Sequence, residues 1–205
     1  MITEAPKGAA GTWAAPLALM ALLLVLELFG DAGRQLLRYD REAIEAGEWW
    51  RLLSGNFVHL GWYHWMLNEI GIVVLAMLCP EPLAPAVWLR RLVLIGIGMT
   101  ACLFAFVPDM VWYVGLSGVM HGLFLLGLMR QSLQRDWIAV ACLAYLFGKL
   151  AWEMAMGVPV SDEQAIGGKV ALESHLYGAV AALVYGLVFR AFTQIEQWNP
   201  WGSKQ

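Results

Sequence analysis

Charge is what this sequence has least of. Of its 205 residues only 14% are Asp, Glu, Lys or Arg, whereas 60% are hydrophobic, and the mean hydropathy is +0.62. A soluble domain carries roughly 25% charged residues, and so few polar groups cannot cover the surface of a 22.7 kDa soluble fold. Water-soluble enzymes and disordered chains are excluded. Basic charge is scarce as well: 13 Lys and Arg stand against 16 Asp and Glu, for a net charge of -3. No cationic stripe is left to track phosphates, so no nucleic-acid partner is expected. Cysteine is nearly absent. Cys79, Cys102 and Cys142 fall inside apolar runs and read as small buried hydrophobes, not as a disulfide framework.

What the chain does have is long apolar runs. A hydrocarbon core about 30 Å thick takes roughly 20 helical residues, and cutting the chain where charge interrupts the runs predicts six spans: 14–30, 56–79, 86–107, 112–129, 137–156 and 170–192. The first carries Glu27 and lacks an A-x-A cleavage site, so it reads as a span rather than a signal peptide. The short links 80–85, 108–111 and 130–136 leave no room for a soluble domain. Residues 1–205 are therefore expected to form a single all-α transmembrane domain in contact with the lipid bilayer. With the N-terminus in the cytoplasm, that side collects Lys7, Arg90, Arg91, Arg130, Arg135, Arg190 and Lys204; the other side collects Arg34, Arg38, Arg41, Arg51 and Lys169. The balance favours both termini inside. The first long loop, 31–55, interleaves Ile44, Trp49, Trp50, Leu52 and Leu53 with charge and is expected to lie embedded in the membrane interface, its tryptophans at headgroup level. The second, 157–169, holds Gly157, Gly167 and Gly168 with Ser161 and the acidic Asp162 and Glu163, and reads as mobile.

A polar side chain inside a span must be offset by a partner or by water, which makes each one a functional candidate. These are His59, His64, Asn68 and Glu69 in the second span, Ser117 and His121 in the fourth, Lys149 and Glu153 in the fifth, and Glu173, Ser174 and His175 in the sixth. The second, fourth and sixth spans run in the same direction. His64, Ser117 and His175 each lie about 8 to 12 Å below the outer surface at 1.5 Å per residue, the layout of a water-filled site sunk into the membrane. Ser117 sits in Gly115-Leu116-Ser117-Gly118, where small residues permit a tight turn at a helix start. Unpaired N–H groups there can stabilise an oxyanion, and a nearby histidine can take the serine proton. Glycine and serine also serve simply as close helix contacts in membranes. His64 and Asn68, one turn apart, suit a pair of oxyanion donors or polar glue between helices. His121, one turn below Ser117, reads as a second base, a stacking partner of His175 or a structural histidine. Gly178 and Ala182 give His175 a smooth helix face with which to meet the fourth span. Lys149 and Glu153, four apart, read as a mutually neutralising structural pair.

The ordered set Gly47-Glu48-Trp49-Trp50-Arg51, then His59, His64 and Asn68, then Gly115-Leu116-Ser117-Gly118, then His175 with Gly178, resembles a rhomboid-family intramembrane serine protease. The resemblance implies a six-transmembrane-helix rhomboid-like bundle. It implies Ser117 as nucleophile and His175 as general base of a dyad with no acidic third member, and an oxyanion hole of His64, Asn68 and the Ser117 N–H. Gly115, Gly118, Gly178 and His121 would support the site, and Trp50 and Arg51 would shape the first loop. His121 stands where rhomboids usually carry an aromatic residue, and Ala182 where a glycine is expected. The form GxSGxxHG and the short chain are similar to the rhombosortase subfamily. Those are bacterial inner-membrane enzymes whose proposed substrates are exported proteins with a C-terminal GlyGly-CTERM tail. The implied act is removal of that tail at a site opening to the periplasm, with no metal or cofactor. Two other readings stay open: a metal- or haem-binding membrane protein using His59, His64, His121 and His175, and an inactive rhomboid-like protein that only holds membrane helices.

Overall fold

The computed structural model describes residues 9–191 apart from residue 82. Lys7, Lys204 and Phe192, used above for orientation and for the end of the sixth span, lie outside the described residues. In chain order the elements are α1 (Ala9–Leu28), α2 (Gly30–Leu37), β1 (Tyr39–Asp40), α3 (Arg41–Glu45), α4 (Arg51–Ser54), α5 (Trp62–Leu78), α6 (Pro85–Phe106), β2 (Trp112–Tyr113), α7 (Ser117–Leu133), α8 (Trp137–Met156), α9 (Glu163–Ile166) and α10 (Leu172–Val188). By length and composition α6 and α8 can each cross a membrane, and α1 with α2, bent by 110° at their junction, makes a third candidate; α5 and α10 are apolar but shorter.

The large apolar side chains on the outside fit a lipid environment. Leu28, Met77, Leu89, Trp137, Tyr145 and Leu187 are all more than 60% exposed, more apolar surface than water would tolerate. The most enclosed helix is α7, whose residues from Gly118 to Leu128 are buried almost without interruption. It packs chiefly on α10 and also on α8, α5 and α6.

Two expected spans begin too early. Residues 55–57 form a 3₁₀ turn and α5 starts only at Trp62. Trp112 and Tyr113 are a strand, paired antiparallel with Asp40 and Tyr39, and α7 starts at Ser117. Hydropathy sees apolar residues in both stretches but not the turns that interrupt them.

The loop 31–55 is folded onto the bundle. Asp40 caps α3 by accepting from the Ala43 N–H. The Arg41 guanidinium donates to the carbonyls of Phe104 (3.0 Å), Leu103 (3.2 Å), Val107 (2.9 Å) and Met110 (3.2 Å), which supplies partners that the end of α6 lacks. Arg51, buried, donates to the carbonyls of Gln35 and Arg38 and pairs with Glu48 at 2.6 Å. Trp49 and Trp50 point outward, 61% and 54% exposed. Cys79 is buried, Cys102 and Cys142 half-buried, and all three are free thiols.

Candidate active site

Ser117 is the first residue of α7, and the residue before the turn explains how it gets there. Gly115 has φ +123°, a conformation open to glycine, and a Cβ on it would stand 2.7 Å from the His64 ring. Its N–H is held by the Gly55 carbonyl at 3.1 Å. The chain thus turns tightly against His64 and enters the helix at Ser117, whose N–H belongs to the unpaired first turn.

His175 lies in the first turn of α10, and backbone contact brings it to Ser117. A Cβ on Gly118 would meet the Ser174 carbonyl at 2.8 Å, one on Gly122 the Gly178 carbonyl at 2.5 Å, and one on Gly178 would run into the Gly118 carbonyl. The two helices touch along their backbones at the end where both residues sit. The outcome is Ser117 Oγ 3.2 Å from His175 Nε2.

The other face of the imidazole is engaged as well. His175 Nδ1 lies 2.9 Å from Glu153 Oε2, and Glu153, on α8, is 1% exposed. Lys149, one turn before it, donates to Glu153 Oε1 (2.6 Å) and to His121 Nε2 (3.0 Å) and stands 3.3 Å from His175 Nδ1. His121 Nδ1 donates to the Ser117 carbonyl at 2.7 Å, and its ring stacks on His175 with centroids 4.1 Å apart and planes 17° apart. Partner chemistry assigns the protons, since a carbonyl only accepts and an ammonium only donates. His121 carries its hydrogen on Nδ1. His175 carries its hydrogen on Nδ1 toward Glu153, which leaves Nε2 free to accept from the Ser117 hydroxyl.

The expected pairing of Lys149 with Glu153 is present and carries an additional contact. Glu153 is more than a counter-ion, because its second oxygen holds His175. Beside the expected Ser117–His175 pair the structure thus sets a buried carboxylate on the far nitrogen of the ring. The sequence did carry a signal for it, since a carboxylate has two oxygens and a lysine four residues away uses only one.

On α5, His64 accepts the Leu60 N–H at Nδ1 (3.3 Å), so its proton sits on Nε2 and can be donated. Asn68 is buried and donates to the His64 carbonyl at 2.9 Å, which spends one of its two N–H groups inside its own helix. His59 is fully enclosed, edge-on to His64 with centroids 5.1 Å apart, and neither ring nitrogen finds a hydrogen-bond partner among the described residues. Glu69 is buried on α5 away from these bonds; Ser174 turns its hydroxyl to the Ala171 carbonyl at 2.7 Å. A cavity of about 720 Å³ is lined by His64, Asn68, Ser117, His121, Lys149 and His175, with Glu173 and the 166–171 segment at its wall.

The four histidines therefore form two pairs, not one ligand set. Among the described residues, His121, Glu153 and His175 are the one group whose ligand atoms converge, within 4.8 Å of one another. The Lys149 ammonium already reaches all three, filling with a cation of the chain's own the space a metal would need.

The chain is similar to known proteins. The Rhomboid domain family matches residues 46–192. The chain is 28% identical over 134 residues to "Putative rhomboid protease YdcA" of Bacillus subtilis, covering 64% of this chain and 63% of that protein, less than two thirds of its length. It is 25% identical over 191 residues to "Uncharacterized protein Rv1337" of Mycobacterium tuberculosis, covering 85% of this chain and 74% of the relative.

Proposed function

The chain belongs to the rhomboid family of intramembrane serine proteases, and from that premise we propose that it cleaves a peptide bond in a membrane-borne substrate with Ser117 as nucleophile and His175 as general base. The observation that carries the reading is the 3.2 Å approach of Ser117 Oγ to His175 Nε2 in the wall of an open cavity. Ser117 Oγ attacks the scissile carbonyl carbon as its proton passes to Nε2. The oxyanion is met by the Ser117 N–H and by His64 Nε2–H, with the free N–H of Asn68 alongside. The imidazolium then protonates the leaving amine, and water, deprotonated in turn by His175, hydrolyses the ester and restores the serine.

The six long helices α1, α5, α6, α7, α8 and α10 cross the inner membrane of a bacterium, with both termini in the cytoplasm and the site opening to the periplasm; the lysine and arginine distribution supports this orientation. The substrates are exported proteins bearing a GlyGly-CTERM-type tail, which the enzyme removes in sorting. A Gly-Gly pair supports that choice chemically: a helix shields its own peptide bonds, and each glycine weakens it by about 1 kcal/mol relative to alanine, so the chain unwinds where the serine must attack.

The test is labelling of the purified protein with a fluorophosphonate. Wild type is expected to label, Ser117→Ala to be silent, and His175→Ala to fall by at least about 1,000-fold. Labelling that survives Ser117→Ala overturns the assignment. For the substrate, an exported reporter carrying Gly-Gly, an apolar helix and a basic end is co-expressed. A shortened reporter supports the tail reading, and an intact one beside a labelled enzyme refutes it.

A further inference from the structure

The residue that the dyad scheme leaves without a task is Glu153. On α8 the buried positions are Ala139, Leu146, Leu150 and Glu153, a single stripe turned toward α7, while Tyr145, Trp152 and Met156 are more than half exposed. An ionised carboxylate on the inner stripe is costly to bury, and a lysine on one oxygen would offset only part of that cost. Both oxygens are in fact used, one by Lys149 and one by His175.

We propose that Glu153 completes a Ser117–His175–Glu153 relay as the positioning residue, and that the Lys149 ammonium opposes it electrostatically, so that the two residues together set the basicity of His175. The proposal rests on the serine-protease reading above. Glu153 Oε2 accepts the Nδ1–H of His175, which fixes the tautomer with its lone pair on Nε2 and orients the ring at Ser117 Oγ. When Nε2 takes the serine proton, the new positive charge faces the Glu153 carboxylate across 2.9 Å and the Lys149 ammonium across 3.3 Å. The nearer, hydrogen-bonded anion prevails, and the cation tempers it. His121 serves as the lateral wall: its ring stacks on His175 while its two nitrogens tie Lys149 to the Ser117 carbonyl. The other charged or titratable groups facing His175 are His64 from α5 and Glu173 on its own helix.

The opposed charges make a signed prediction. Fluorophosphonate labelling needs neutral His175, so its rate rises with pH. Replacing the carboxylate by an amide of the same shape, Glu153→Gln, is expected to slow labelling by about 100-fold or more and to move the half-rise to lower pH. Removing the cation, Lys149→Met, moves the half-rise to higher pH. Because Glu153→Gln leaves the half-buried Lys149 without its anion, the double variant Lys149→Met/Glu153→Gln is measured beside it on the full-length protein in detergent, with thermal unfolding as the check on folding. It removes both charges at once, and its labelling is expected to stay about 100-fold below wild type. A merely structural ion pair would lower thermal stability and leave the pH profile where it was. Labelling of the double variant within about threefold of wild type, or half-rises that do not move in opposite directions, overturns the relay while Ser117→Ala remains silent and the dyad stands. If Ser117→Ala labels, the protease reading fails and the relay falls with it.

Discussion

His121 shows how one side chain can combine the parts of several. Its ring stacks 4.1 Å from His175, its Nδ1–H holds the Ser117 carbonyl, and its Nε2 accepts from Lys149. A phenylalanine reproduces the first contact and neither of the others. His121→Phe is therefore expected to lose about 1–3 kcal/mol of stability, because a buried carbonyl and an ammonium lose partners, while labelling of Ser117 falls by less than about 10-fold. His121→Ala, which also removes the wall against His175, is expected to label more slowly than the phenylalanine variant. Equal damage from both would place the function of His121 in its hydrogen bonds and not in its ring. The sequence offered three roles for this histidine, and only the rotation of α7 relative to α10 selects among them. Ser117, His175 and His64 were legible because polar groups in a bilayer are few and costly. The contact of Glu153 with His175 was not legible, because Lys149, four residues away, already accounts for the glutamate's charge.

At the scale of elements the site depends on how closely two helices approach. The Gly118 carbonyl occupies the space a Cβ on Gly178 would need, so Gly178→Ala pushes α10 away from α7, at an overpacking cost of about 1–3 kcal/mol. The same displacement opens the Ser117 to His175 distance, so labelling is expected to fall together with thermal stability. Gly148→Ala on α8 is the control: its Cβ meets open space, and removing a helical glycine leaves stability unchanged or raises it by up to about 1 kcal/mol. Unchanged labelling in Gly178→Ala would mean that the helices can slide apart without moving the catalytic pair. Arg41 joins elements in a different way, with three hydrogen bonds from one guanidinium to the end of α6 and a fourth to Met110 in the loop beyond it. Arg41→Ala is expected to lower the unfolding temperature and to speed hydrogen exchange around β1 and β2. The long helices were legible from apolar runs interrupted by charge, whereas the short α2, α3, α4 and α9 fall in stretches that read as loops. The strand pair was not, because Tyr39 meets Tyr113 across 74 positions of sequence and each strand is two residues long, too short for any periodicity.

For the molecule as a whole, the proposed function asks how a membrane-borne substrate would reach a serine enclosed among helices. Both α5 and α8 pack on α7 and have little contact with each other, and the cavity that holds Ser117 is lined from α5 by His64, Leu67 and Asn68 and from α8 by Lys149. The 166–171 segment, which leads into α10, forms its outer wall. A substrate entering sideways from the lipid would pass between α5 and α8, while a small reagent reaches the cavity from water. The two routes can be separated. With Cys79, Cys102 and Cys142 replaced by serine, a pair of cysteines is placed at facing positions of α5 and α8 and oxidised to a disulfide. The closed form is expected to stop cleaving a membrane-inserted reporter while Ser117 still labels with the fluorophosphonate, and reduction restores cleavage. Full cleavage in the oxidised protein would rule out entry between these helices. Loss of both activities would mean that the cross-link distorts the site itself, since α5 and α8 both pack on α7, which carries Ser117 in its first turn.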